Sequence, residues 1–133
     1  MRIMLDSNVI ISAGLFPGKY NTEITLKIAE NYKIVLSTRI IDELHDVIKE
    51  KFPEKSAALE RFLERLNCEI SHTPSDISND AFPVVRDIKD YQILASAIIA
   101  DVDVFVTNDK DFEGLDLDRP EILTVSDFEK KYL

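Results

Sequence analysis

The chain has 133 residues, 45% of them hydrophobic and 31% charged, with a formal net charge of −9, three Gly and five Pro. That length suits one domain with a substantial core, and the mixed composition excludes a disordered or low-complexity chain. No apolar run approaches the roughly 18 residues of a membrane span, and no signal peptide is expected at the N-terminus.

Cys68 is the only cysteine, so no internal disulfide can form and a reducing cytoplasm is the expected compartment. The two histidines, His45 and His72, are too few and too scattered for a zinc site. Residues 1–68 carry ten acidic and ten basic side chains, and residues 119–133 three of each. The whole negative excess falls in residues 69–118, where twelve acids face only Arg86, Lys89 and Lys110. Such a stretch is either a solvated face or a place that expects a cation, since a bound divalent ion inverts the local sign.

In chain order, residues 2–5 form an apolar run that stops on Asp6, and Ser7 and Asn8 lead into the next element. The pattern predicts a strand with Asp6 at its carboxyl end. In open α/β sheets that edge is where ligands bind. Residues 9–15 read as a short helix ending in a turn marked by Gly14, Pro17 and Gly18. Asn21 or Thr22 then caps a helix reaching Asn31. Residues 33–37 are a second buried strand. Thr38 caps an amphipathic helix whose apolar face holds Ile40, Ile41, Leu44, Val47 and Ile48. Pro53 breaks it, and residues 54–67 form a second amphipathic helix, giving a helical hairpin. Residues 68–72 suggest a third strand. Residues 73–85, with Pro74, Ser75, Ser78, Asn79 and Pro83, read as a loop. Asp87 caps a helix from residue 88 to about 100. Residues 104–107 and 122–125 are strands, and Ser126 caps a closing helix over 127–133. Strands alternating with helices predict an α/β domain with a parallel sheet.

Asp109 follows the strand 104–107 as Asp6 follows 2–5, so parallel strands bring the two acids to one sheet edge. Asp111 comes two residues later, and Asn108-Asp109-Lys110-Asp111 equally satisfies the composition of a polar turn. At roughly 100° per residue, Asp42 and Asp46 point away from the apolar face of their helix, while Glu43 falls at its margin. Asp90 lies in phase with Leu94, Ala97 and Ile98, opposite Lys89, Gln92 and Ser96. A carboxylate there needs a partner, a hydrogen bond or a metal, although Asp87-x-x-Asp90 also has the form of a capping box. Four carboxylates from four elements, without His or Cys, form an oxygen ligand set for a hard cation, Mg²⁺ or Mn²⁺, which suits phosphate chemistry.

With Asp6-x-Asn8, Glu43, Asp90 and Val106-Thr-Asn-Asp109 in this order, the chain resembles the PIN-domain family of metal-dependent ribonucleases. Many of these are toxins of toxin–antitoxin pairs. The segments Ile3-Met-Leu-Asp-Ser-Asn-Val-Ile-Ile-Ser12, Arg86-Asp-Ile-Lys-Asp-Tyr-Gln-Ile-Leu-Ala95 and Ala100-Asp-Val-Asp-Val-Phe-Val-Thr-Asn-Asp-Lys-Asp-Phe112 carry the likeness. The resemblance implies a three-layer α/β sandwich with parallel strand order 3-2-1-4-5 and a single domain over residues 1–133. It implies a catalytic and metal-binding quartet of Asp6, Glu43, Asp90 and Asp109, with Asn8, Thr107 and Asp111 as accessory positions. It also implies Mg²⁺ or Mn²⁺, a single-stranded RNA substrate, a small antitoxin partner and a homodimer. Asn108 stands where the family commonly has Gly.

On the helical hairpin, Lys49, Lys51, Lys55, Arg61 and Arg65 are the candidate guides for RNA phosphates, or else a solvated face. Two other classes fit less well. A non-catalytic binding module of the same fold has no need of four acids. A phosphotransfer or receiver-like domain wants a second Asp after Asp6 and a strand-end Lys.

Overall fold

A computed structural model describes every residue except 17, 19, 79, 80, 84 and 116. The turn and loop expectations on Pro17 and Asn79 fall outside the described residues. Five parallel strands form one sheet in the order β3-β2-β1-β4-β5: β1 (Arg2–Leu5), β2 (Lys33–Ser37), β3 (Glu69–Ser71), β4 (Val104–Val106) and β5 (Glu121–Leu123). Six helices flank it among the described residues: α1 (Ser7–Leu15), α2 (Tyr20–Asn31), α3 (Thr38–Lys51), α4 (Ser56–Leu66), α5 (Ile88–Ile99) and α6 (Val125–Tyr132). The expected order and sandwich class are therefore present.

Strand β1 is the centre of the sheet. Its Ile3 lies opposite Ile34 on one side and Val104 on the other, and Leu5 opposite Val106. Ile3, Met4, Leu5 and all of β4 are buried, because a parallel sheet covered on both faces has no solvent side to alternate with. Successive strands run outward from β1 to β3, then the chain crosses to β4 on the opposite side. The strand order reverses between β1 and β4, which is the topological switch point where such sheets open a crevice.

Several caps differ from expectation, and at α2 and α3 the hydroxyls and amide that looked like caps are taken by other partners. Helix α2 already begins at Tyr20, so Asn21 and Thr22 are helical. The Asn21 amide donates to Ser12 Oγ (2.9 Å) and the Thr22 hydroxyl to the Ala13 carbonyl (2.6 Å), binding α2 to α1. Ser37, not Thr38, caps α3 by accepting from Ile40 N at 3.1 Å, while Thr38 accepts the amide of Thr73 (2.9 Å). Thr124, not Ser126, caps α6, so β5 ends at Leu123. Helix α1 starts two residues early because Asp6 itself caps it. The expected single helix over 54–67 is a 3-10 turn (Pro53–Lys55) followed by α4, which ends on left-handed Asn67 (φ 50°). Ser96 is buried rather than on a polar side, bonded to Ser37 Oγ (2.8 Å) and the Ile93 carbonyl (2.7 Å).

Gly14 is also not a turn residue. It lies inside α1, where a Cβ would stand 2.6 Å from Phe62 Cδ2 on α4. Its hydrogen is what lets the two helices meet. The turn after α1 instead uses Gly18, at φ 86°.

Candidate functional site

Asp6 leaves β1 at the switch point, and its backbone N–H donates to the Val106 carbonyl of β4 at 2.9 Å. The side chain is buried, 3% exposed, and both oxygens are engaged. Oδ1 accepts the Ser7 amide (2.8 Å), the N-cap bond of α1, and Oδ2 accepts the Thr107 hydroxyl (2.7 Å). Thr107 Oγ1 in turn accepts the Asp109 amide (3.0 Å), and Asp109 Oδ1 accepts the Asp111 amide (2.9 Å). A continuous chain of bonds thus runs from the end of β1 to the acids beyond β4. Phe112, buried edge-on against Phe105 of β4 with ring centroids 5.3 Å apart, pins the 3-10 turn Lys110–Phe112 that carries Asp111.

Asp90 enters from the first turn of α5, whose cap is Asp87, accepting from Lys89 N at 2.7 Å. One carboxylate oxygen each of Asp90, Asp109 and Asp111 lies within 4.8 Å of the others. Asp111, expected as an accessory, is a full member of this trio. Glu43 is half-buried on α3 while Asp42 and Asp46 are exposed, as the helical phase requires. Its Oε1 accepts the Ser7 hydroxyl. Ser7 therefore holds Asp6 through its amide and Glu43 through its hydroxyl. Of the expected quartet, Asp90 and Asp109 join Asp111 in a compact trio, while Asp6 and Glu43 form a Ser7-bridged pair.

The electrostatics follow from this crowding. Burial, offset in part by the Thr107 hydroxyl bond and reinforced by the nearby charges of Glu43 and Asp109, pushes Asp6 up to about 6. Burial first, then the contact with Asp111 and the fields of Asp109 and Asp87, pushes Asp90 up to about 7. Among the described residues, no Lys or Arg forms an ion pair with Asp6, Glu43, Asp90, Asp109 or Asp111. An all-oxygen trio lacking internal counter-charge is a donor set that a hard divalent cation fits, and a zinc or copper site is not.

A cleft of about 350 Å³ opens in front of the acids. Its α3 wall is the stripe Arg39, Glu43, Asp46 and Glu50, spaced to share one helical face. Asp87, Lys89, Asp90 and Asp109 form the opposite side, and exposed Asn8 also lines it. Thr107 lies buried behind, as the link between Asp6 and Asp109. Asn108 uses its side-chain oxygen to accept Val125 N (3.2 Å), tying the turn to the start of α6.

None of Lys49, Lys51, Lys55, Arg61 and Arg65 lines this cleft. Lys55 sits over the Phe16 ring, 5.4 Å from its centroid, and Arg65 borders a depression with Leu26 and Ala29 of α2. The cleft's own cations are Arg39 and Lys89, and Arg39 was not singled out from the sequence. Its position one turn before Glu43 on the same face was the available signal. Ser7 was also missed, although it sits directly between Asp6 and Asn8.

A PIN-domain family model matches residues 2–111, a span that holds all five acids. No curated protein matches the chain. Among solved structures, VapBC2 from Rickettsia felis, bound to a DNA fragment from their promoter, is similar with a TM-score of 0.63 and 22% identity. That match covers 92% of this chain and 97% of the other, and at such identity it speaks for the fold. The acids at the β1/β4 switch point, the 3-2-1-4-5 sheet and a family match over most of the length agree: the chain belongs to the PIN-domain family.

Proposed function

We propose that this chain is a metal-dependent endoribonuclease that hydrolyses phosphodiester bonds of single-stranded RNA, acting as the toxin of a toxin–antitoxin pair. The observation that carries the reading is the Asp90, Asp109 and Asp111 trio, with oxygens within 4.8 Å and no basic partner among the described residues. In this reading Mg²⁺ or Mn²⁺ is held by Asp90, Asp109 and Asp111, with Asp6 and Glu43 completing the negative field. The bound ion supplies charge stabilisation at the phosphoryl oxygens and makes water a better nucleophile.

The rest of the work falls to the chain's own residues. Asp6 fixes Thr107, and Thr107 fixes the Asp109 backbone, so the acids of two strands keep a constant spacing. Glu43 has Oε1 occupied by the Ser7 hydroxyl, which leaves Oε2 to take the proton of the attacking water. As the water oxygen bonds to phosphorus, the bond to the leaving ribose oxygen breaks. The leaving ribose oxygen takes its proton from solvent water, since Asp90 stays ionised to hold the cation. Exposed Asn8 at the rim serves as a hydrogen-bonding contact to substrate. The basic hairpin residues Lys49, Lys51, Lys55, Arg61 and Arg65 act only through long-range attraction, which salt screens. Reversing Lys51, Lys55 and Arg61 should slow RNA association at low ionic strength and have no effect near 1 M salt, where the Debye length is about 3 Å.

The family resemblance also motivates a small antitoxin that covers the acidic cleft, a homodimeric state and a cytoplasmic setting. Among the described residues, no helix is long and apolar enough to cross a membrane.

The decisive experiment is cleavage of defined single-stranded RNAs with Mg²⁺, Mn²⁺ or EDTA, comparing wild type with Asp6→Asn. Cleavage should require a divalent ion and disappear in the variant, with the circular dichroism spectrum unchanged. Wild-type rates in Asp6→Asn would overturn the assignment. Failure to bind Mn²⁺ at all would favour a non-catalytic module of the same fold.

A further inference from the structure

We propose that Arg39, presented by Gln92, grips a phosphate of the RNA next to the one cleaved. It thereby leads the strand from the acidic cleft into the depression beside it. The cleavage half of this statement rests on the nuclease reading above; the phosphate contact does not.

Arg39 is the one described residue that lines both hollows. On one side lies the acidic cleft. On the other is a depression of about 220 Å³ whose walls include Thr38, Thr73, Ser75 and Gln92. The loop wall is held in register with α3 by two bonds: Thr73 N–H donates to Thr38 Oγ1 (2.9 Å), and Arg39 N–H donates to Thr73 Oγ1 (3.4 Å). Each threonine hydroxyl therefore keeps its own proton to donate to a ligand oxygen.

The pairing of the guanidinium is the unusual part. Six acids line the acidic cleft, Glu43 stands one turn from Arg39 on the same face, and Asp42 borders the depression. An arginine in such company ordinarily gives its fork to a carboxylate. Arg39 Nε instead donates to the neutral side-chain oxygen of Gln92 at 3.1 Å. Among the described residues it forms no ion pair, and neither Nη nitrogen has a hydrogen-bond partner. The side chain is half-buried and held across α3 and α5, whereas Lys89, the other cation of the cleft, is exposed. A planar fork fixed at one edge and open at the other is preorganised for the oxygens of a phosphate. An RNA strand entering a cleft of net negative charge needs such a grip beside the acids.

The test is a cycle between protein and substrate. Short single-stranded RNA oligonucleotides are made with one phosphate at a time replaced by a neutral methylphosphonate. KM and kcat are measured with Mn²⁺ for wild type, Arg39→Gln, Arg39→Lys and Gln92→Leu, and Kd by fluorescence anisotropy in the Asp6→Asn background. Arg39→Gln should raise KM and Kd on the order of 10- to 100-fold, the range for a hydrogen bond to a charged group, with kcat little changed. Neutralising one particular phosphate should cost wild type the same factor and cost Arg39→Gln nothing. Arg39→Lys keeps the charge and the salt dependence but recovers only part of the affinity. Gln92→Leu, acting through Arg39, should show a smaller loss at the same phosphate.

Equal losses at every phosphate in both proteins would show that Arg39 merely offsets the acids, and would overturn the contact. If wild type cleaves RNA but no phosphate couples to Arg39, this inference fails and the nuclease reading stands. If nothing is cleaved but one phosphate still couples in the binding cycle, the reverse holds. Absence of any RNA binding overturns both.

Discussion

Replacing Asp6 by Asn should stabilise the metal-free protein at neutral pH, although Asp6 is central to the site. Asp6 is 3% exposed and its pKa rises from 3.8 to about 6, chiefly through burial. The folded state therefore holds its proton more tightly than the unfolded chain. The stability that comes with the protonated form is complete below pH 3.8 and is lost as the pH rises through 6. Carrying the carboxyl from 3.8 to about 6 corresponds to about 3 kcal/mol of destabilisation above pH 7. Asn removes that charge and keeps the local bonding. It caps helices as well as Asp does, so the Ser7 amide retains its acceptor. The Thr107 hydroxyl has a lone pair left for an amide N–H after accepting from Asp109 N.

Two charge-assisted bonds become ordinary ones, so the net gain is expected at about 1–2 kcal/mol, or roughly 4–8 °C in Tm for a chain of this size. The assay is thermal melting of wild type and Asp6→Asn in EDTA from pH 4 to 8.5. Groups remote from Asp6 titrate equally in both proteins, so the difference curve reports Asp6 together with its coupling to Glu43 and Asp109. It should climb between pH 4 and 7 to a positive plateau. A difference that is flat with pH, or negative at pH 8, would refute the reasoning. Adding Mn²⁺ should narrow the difference, because a bound ion stabilises the protein that holds it more tightly and the variant lacks the Asp6 charge.

Three further outcomes follow from the same geometry. Asp90, raised to about 7, must lose its proton to ligate a cation. Mn²⁺ affinity should therefore rise about tenfold per pH unit below 7 and level off above it, read by calorimetry in buffers of different ionisation enthalpy. Ser7→Ala leaves the amide bond to Asp6 but removes the hydroxyl bond to Glu43; kcat should fall about tenfold, the worth of one such bond in the transition state, with Tm changing little. Gly14→Ala drives a methyl to 2.6 Å from Phe62 Cδ2 and should destabilise the fold by about 1–3 kcal/mol, seen in urea denaturation and relieved in part by Phe62→Leu.

The centre of the sheet was legible in the sequence because β1, β2 and β4 are buried apolar runs that each end on a polar residue, whereas the edge strand β3, Glu69–Ser71, is short and largely exposed. Helical phase placed Glu43 inward and Asp42 outward because α3 has a clean apolar stripe. Phase misplaced Ser96, since α5 is buried almost all round and a small hydroxyl satisfied by Ser37 reads as polar. Caps were misassigned by one or two residues, at α3 because the Thr38 hydroxyl has a partner far along the chain in Thr73. The five acids were each visible, but their division was not. It depends on Thr107 reaching Asp6, 101 residues away, and on Ser7 reaching Glu43. Arg39 was hidden for the same reason: what distinguishes it from the other basic residues is Gln92, 53 positions later.

Asp6, at the end of its strand, is tied into the chain as well as facing the other acids. Both of its oxygens are spent on the chain, one on the first turn of α1 and the other on Thr107. Through Thr107 it sets the backbone at Asp109, and through the Asp109 carboxylate the turn bearing Asp111. The trio that comes closest to a cation's ligand set is thus hung from Asp6 rather than centred on it. Asparagine can hold α1 and Thr107, but it cannot add a negative charge behind Asp90 and Asp109. The buried charge that destabilises the metal-free protein is the same charge that would draw in the ion, so stability without metal and affinity for metal should move in opposite directions across substitutions at Asp6 and Asp90.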